Sequence, residues 1–103
     1  MFSVYGRMTA LPGRGEELVA VLLEGFRVCV AGGGLLGYTV NTAMDEPDTV
    51  WLTQLWSGKD AHDATTRSEP VVAVTSRVPA LLAGQPEGCY GNAVHVHGLT
   101  DAA

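Results

Sequence analysis

Residues 49–56, Thr-Val-Trp-Leu-Thr-Gln-Leu-Trp, constrain this chain more than any other stretch. They join β-branched and aromatic residues with no breaker between them, which reads as a strand. Side chains alternate along a strand, so Trp51 and Trp56, five residues apart, point to opposite faces. Both faces therefore carry large apolar groups. A strand of this kind must be covered from both sides.

The remaining elements are arranged around it. Residues 2–10 read as a strand in which Phe2, Val4, Gly6 and Met8 alternate with Ser3, Tyr5, Arg7 and Thr9. Residues 11–15, Leu-Pro-Gly-Arg-Gly, form a turn. Residues 16–31 read as a helix with Glu16 and Glu17 in its first turn, apolar over more than half its circumference. Gly25 inside it marks either a close crossing or a bend. Gly32, Gly33 and Gly34 end the helix; with no Lys-Ser/Thr after them they are not a phosphate loop. A second strand spans 35–43, and Asp45, Glu46, Pro47 and Asp48 make a polar hairpin turn before 49–56. Ser57 is placed to cap a short helix over 58–67, and Ser68 to cap another over 69–83, which Pro79 ends or kinks near Val78. A last strand is expected over 89–97.

The order β-α-β-β-α-β is the split-βαβ, ferredoxin-like arrangement: an α+β fold with a four-stranded antiparallel sheet and helices on one face. All 103 residues are one domain's worth of chain, too short for separate cofactor and substrate domains. The bare sheet face would carry Tyr5, Trp51, Leu55, Cys89 and Ala93, too apolar to face water alone. Only 17% of the residues are charged, which points the same way: a homodimer with the two sheets face to face. Arg7 on that face is either an interface ion-pair partner or solvent-facing.

Charge excludes one class of partner. Eleven acidic residues against six basic give a net charge of −5, the opposite of a nucleic-acid footprint. No membrane partner is expected, since the apolar run Leu18 to Leu23 is far too short to span a bilayer. Met1 to Arg7 does not read as a signal peptide, and Cys29 and Cys89 read as two buried thiols of a reducing compartment, from which a cytoplasmic protein is expected.

Motifs for common chemistries are missing. His95 and His97, two apart on the last expected strand, point the same way, but no neighbouring Cys or carboxylate completes a metal set. There is no Gly-x-Ser-x-Gly elbow and no glycosidase-type carboxylate pair. A pairing of Cys89 with either histidine would lie within one strand and reads as accident. His62, between Ala61 and Asp63, reads as a solvated surface residue.

The stretch Gln54-Leu55-Trp56-Ser57-Gly58-Lys59-Asp60-Ala61-His62-Asp63-Ala64, with Pro12-Gly13 before the first helix, Gly37-Tyr38 in the second strand and Asp45-Glu46-Pro47 in the hairpin, resembles the antibiotic biosynthesis monooxygenase family. The resemblance covers roughly residues 3–97. It implies a dimeric α+β barrel with a cavity between each subunit's sheet and helices. The family pattern has Glu-x-Trp at the strand end, where this chain has Gln54 and Trp56, and a His where this chain has Thr65. The pattern of the haem-degrading branch is absent at Thr65 and Thr75, and its first-strand Asn is absent at Ser3, Tyr5 and Arg7.

The resemblance thus implies a cofactor-independent monooxygenase that acts on an aromatic or quinol-type small molecule, with no metal, haem, flavin or nicotinamide. Trp56 would be either a ring platform or plain core. Gln54 and Thr65 would be its polar neighbours, the three together forming the catalytic set. Tyr38, Leu52 and Asn92 would line the substrate pocket, Leu52 standing where that branch can place an Asn. The alternative is a small-ligand-binding, isomerase- or cyclase-like, or purely structural dimeric barrel.

Overall fold

The computed structural model describes residues 1–98. Its elements follow in the order β1 (Phe2–Thr9), α1 (Gly15–Gly32), β2 (Leu35–Thr42), β3 (Thr49–Trp56), α2 (Lys59–Thr66), α3 (Glu69–Thr75), a short 3-10 helix (Pro79–Leu81) and β4 (Glu87–Asn92). The sheet order is β2-β3-β1-β4 and every pairing is antiparallel. This is the ferredoxin-like α+β arrangement expected from the strand and helix order, and β3 is a central strand.

Register explains what is buried. Phe2 pairs with Trp56, Val4 with Gln54, Gly6 with Leu52 and Met8 with Val50, so these residues share the face beneath the helices. Two apolar clusters lie between that face and the helices. The larger gathers Leu18, Leu22, Phe26, Val50, Leu52, Val74 and Leu81. The smaller gathers Phe2, Cys29, Trp56 and Val71. Gln54 follows Leu52 and precedes Trp56 on this face, a polar side chain at the seam between the clusters.

Gly25 marks no bend, since α1 runs unbroken through it; it faces α3, where a methyl group would make ordinary contact with Val74 Cγ1 at 3.7 Å. The α1 N-terminus is held from a distance. The Asp48 carboxylate accepts the Gly15 N–H at 2.9 Å and the Gly13 N–H at 3.0 Å. Acid at a helix start satisfies orphan donors and opposes the positive end of the dipole. Gly15 is required here because a Cβ would collide with the Pro47 carbonyl oxygen. Asp48 therefore does more than shape its hairpin.

Four sequence expectations are corrected. β4 is Glu87–Asn92 and not 89–97, because its partner β1 runs from Phe2, paired with Asn92, to Arg7, paired with Glu87. One more backbone bond, from Ala93 N–H to Met1 O, follows the last strand pair. His95 and His97 thus lie beyond the strand and are exposed. The helix expected over 69–83 ends at Thr75 and resumes as the 3-10 turn at Pro79, since β-branched valines weaken it and Pro79 brings no N–H. Gly58, not Ser57, is the α2 N-cap; the Ser57 N–H instead donates to Gly34 O at 2.8 Å. Ser68 stands at the α3 N-cap, but its hydroxyl donates back to Thr65 O at 2.5 Å.

Asp48→Ala should cost about 1 kcal/mol of stability by orphaning the α1 N-terminus. Urea unfolding checks this; an unchanged midpoint would show that water satisfies Gly13 and Gly15 equally well.

Candidate functional site

A cavity of about 230 Å³ sits at the seam between the two clusters. The sheet supplies Met8, Leu52 and Gln54 as its floor; α1 supplies Phe26 and Cys29; the ends of α2 and α3 supply Thr66, Val71 and Thr75. About 150 Å³ is enough for a benzene-sized guest, so one aromatic ring with a substituent fits. The cavity shares Met8, Leu22, Thr75 and Val78 with a wider groove of about 600 Å³, whose outer wall runs from Pro79 to Pro86. The two spaces adjoin along these residues and are mostly apolar.

Polar atoms are few and fixed. Trp56 is fully buried and donates its indole N–H to Gln54 Oε1 at 2.8 Å. The Thr66 hydroxyl donates to the His62 carbonyl at 2.8 Å, which leaves its lone pairs for a guest. Burial pushes the Cys29 thiol upward, so it stays neutral and is no base. None of the residues lining this cavity carries a carboxylate or an imidazole.

The residues expected from the sequence fall in different places. Gln54 and Leu52 line the cavity. Trp56 stands behind Gln54, and Tyr38 stands behind Phe26, stacked on it with ring centroids 4.3 Å apart. Thr65 faces the end of α1, close enough that a Cβ on Gly32 would lie 3.3 Å from its Cγ2. Asn92 lines a separate open groove with Phe2, Ser57, Lys59 and Tyr90. Thr66, Phe26 and Cys29 were not singled out. Only the helical rotation of α2, which a boundary error of one residue obscures, tells Thr66 from Thr65.

His62 is corrected from a surface residue to a buried one, 8% exposed. Its ring packs against Phe2 and Trp56, each 5.2 Å away, and Tyr90 at 5.6 Å. Its Nδ1 lies 2.9 Å from Asp63 Oδ1, and Lys59 Nζ lies 2.5 Å from Asp63 Oδ2. The Lys59 hydrogen bond, with that of His62 second, pulls the Asp63 carboxyl from 3.8 to about 2. Ionised Asp63 can only accept, so Nδ1 carries the proton. The imidazole is thereby held in one orientation against Trp56.

On the opposite sheet face Tyr5 and Trp51 are half exposed and Cys89 is exposed. The Arg7 guanidinium lies 5.4 Å from the Trp51 ring centre and 3.5 Å from Glu87 Oε1. Among the described residues no cluster of three or more His, Cys, Asp or Glu could hold a metal ion, and no helix is long and apolar enough to cross a membrane.

Sheet order and helix placement define a ferredoxin-like α+β domain with a cavity under its helices. Residues 1–77 match the antibiotic biosynthesis monooxygenase family, and the chain belongs to that family. No curated protein matches it. A candidate antibiotic biosynthesis monooxygenase from Chloroflexus aurantiacus J-10-fl is 28% identical, with a TM-score of 0.84 over 95% of this chain and 97% of that one. One from Caulobacter crescentus CB15 is 21% identical, with a TM-score of 0.82 over 91% of this chain and 90% of that one. SnoaB, a cofactor-independent oxygenase from Streptomyces nogalater, shares the fold at 16% identity, with a TM-score of 0.82 over 92% of this chain and 94% of its own.

The Asp63 shift has a consequence in acid. Its folded pKa lies below the ordinary 3.8, so its contribution is complete above that value and is lost as pH falls toward about 2. Asp63→Asn should flatten the loss of stability across that window. Urea midpoints measured through it check this; equal slopes for variant and wild type would refute it.

Proposed function

We propose that this protein is a cofactor-independent monooxygenase that oxidises an aromatic or quinol-type small molecule in the sheet–helix cavity, working as a homodimer. The observation that carries the reading is the cavity itself: a ring-sized apolar space with one sheet-borne polar group, Gln54, locked in place by Trp56. Family membership supports an oxygenase, and SnoaB's description as cofactor-independent supports chemistry by substrate and dioxygen alone.

In such a reaction a substrate carbon exchanges two hydrogens for one oxygen atom, and the second oxygen leaves with those hydrogens as water. The substrate supplies all four electrons. The protein's share is to orient the ring, exclude bulk water and favour the charge that develops on a ring oxygen. With no strong base lining the cavity, the substrate enters ionised or loses its proton through water. Trp56 and Gln54 carry the site in this reading, Leu52 forms its floor, and Tyr38 holds Phe26. We assign to Thr66 the polar role that the sequence suggested for Thr65. The groove beyond Val78 takes the rest of a ligand larger than one ring.

The open sheet face supports the homodimer, because Tyr5, Trp51 and Cys89 would lose their exposure against a second copy. Sedimentation at micromolar concentration should report about twice the 10.8 kDa chain mass, and Trp51→Glu should return the monomer. A monomeric wild type would overturn this part of the reading.

For the activity, oxygen uptake over a panel of quinols and polycyclic phenols is the test. At least one should be consumed without added metal, flavin or haem. Trp56→Phe removes the N–H that fixes Gln54 while keeping most of the ring volume, and should lower kcat/KM about tenfold at little cost in thermal stability. Silence across the panel, or an unchanged rate in that variant, would overturn the assignment.

A further inference from the structure

The Trp56–Gln54 hydrogen bond decides more than the position of Gln54. An indole nitrogen can only donate, so the Gln54 atom facing it must be the carbonyl oxygen. That leaves the amide NH2 as the end able to address a guest. This NH2 makes no hydrogen bond among the described residues and is not one of their sealed, unpartnered side-chain atoms. Gln54 lines the cavity, and this NH2 is the donor it has left to offer a guest. Opposite it, Thr66 has committed its proton to the His62 carbonyl and offers lone pairs. The sheet side thus offers a donor and Thr66 an acceptor, while the Thr75 hydroxyl, which also lines the cavity, can serve as either.

We propose that Gln54 is the specificity-determining donor of this cavity, and that the ligand places an acceptor oxygen on it, a ring carbonyl or an ionised phenol. The proposal rests on the reading that the cavity takes a ring-shaped ligand; it does not require that the ligand be oxidised there. It selects ketone- or quinone-bearing and phenolate ligands over bare hydrocarbons of the same shape. In an oxygenation the same NH2 would stabilise a ring oxygen as it gains charge.

Two inert probes separate the claims: 1-indanone, which carries one ring ketone, and indane, the same skeleton without it. Relative to indane, indanone should bind more tightly to wild type than to Gln54→Leu, and its bound carbonyl stretch should lie at lower wavenumber in wild type than in that variant. Gln54→Leu should weaken indanone about threefold to tenfold and leave indane nearly unchanged. That variant strands the Trp56 N–H and can lose stability, so Gln54→Glu is the second. Its carboxylate still accepts from Trp56 but has no donor. Indanone binding should be lost in alkali and return as the buried carboxyl takes up a proton. Wild type should show no such profile while the Cys29 thiol, the one titratable residue among those lining the cavity and pushed upward by burial, stays neutral. An indanone stretch that is the same in all three proteins, or affinity indifferent to Gln54, would overturn the proposal. If neither probe binds wild type, the ring-cavity reading falls and takes the proposal with it. If both bind as expected while no phenol consumes oxygen, the donor site stands and the oxygenase assignment fails.

Discussion

A fully buried tryptophan needs a partner for its N–H, and here one side chain provides it. An unsatisfied indole donor inside the core would cost about 1–3 kcal/mol. Gln54, two residues earlier on the same face of β3, meets that need at 2.8 Å. The bond lets Trp56 close one end of the core without strain on the sheet. It also fixes a carboxamide at the seam between two apolar clusters. The walls of the cavity follow from this arrangement: a polar group kept at the seam prevents Leu52, Phe26 and Val71 from closing into one continuous core.

The same strand accounts for the other face. β3 is central, and alternation puts Trp51 and Leu55 opposite Leu52, Gln54 and Trp56. Helices cover only one side of the sheet. Arg7 and Glu87 soften the uncovered side by stacking on Trp51 and pairing with one another, yet Tyr5 and Trp51 stay half exposed. One strand therefore links the packing of the cavity to the demand for a cover on the opposite face.

Residues 1–77 show membership of the antibiotic biosynthesis monooxygenase family, and the likeness to SnoaB shows the fold. The chain's own residues bound the chemistry that the proposed function can use. With Gln54, Thr66, Thr75 and a neutral Cys29 as its polar lining, the cavity offers orientation and hydrogen bonds in place of proton abstraction. His62, the one imidazole near the site, is turned to Asp63 and to the rings of Phe2, Trp56 and Tyr90. Its place is to buttress Trp56 from behind.

Alternation along β1 and β3, the glycines after α1 and the polar hairpin around Pro47 were enough to determine the element order, the fold and the two faces of the sheet, because those depend on local periodicity and turn chemistry. The pairing of Gln54 with Trp56 on one face was legible for the same reason. Tertiary structure alone decided the rest. β4 runs from Glu87 to Asn92 because that is the stretch in register with Arg7 to Phe2 of β1, a pairing held in another strand. Asp48 serves α1 from 33 residues away. His62 is buried because Phe2, Trp56 and Tyr90 come from three strands to surround it. Thr66 rather than Thr65 reaches the cavity because the docking angle of α2 sets its rotation. Each of these depends on contacts between residues far apart in the chain, which periodicity cannot encode.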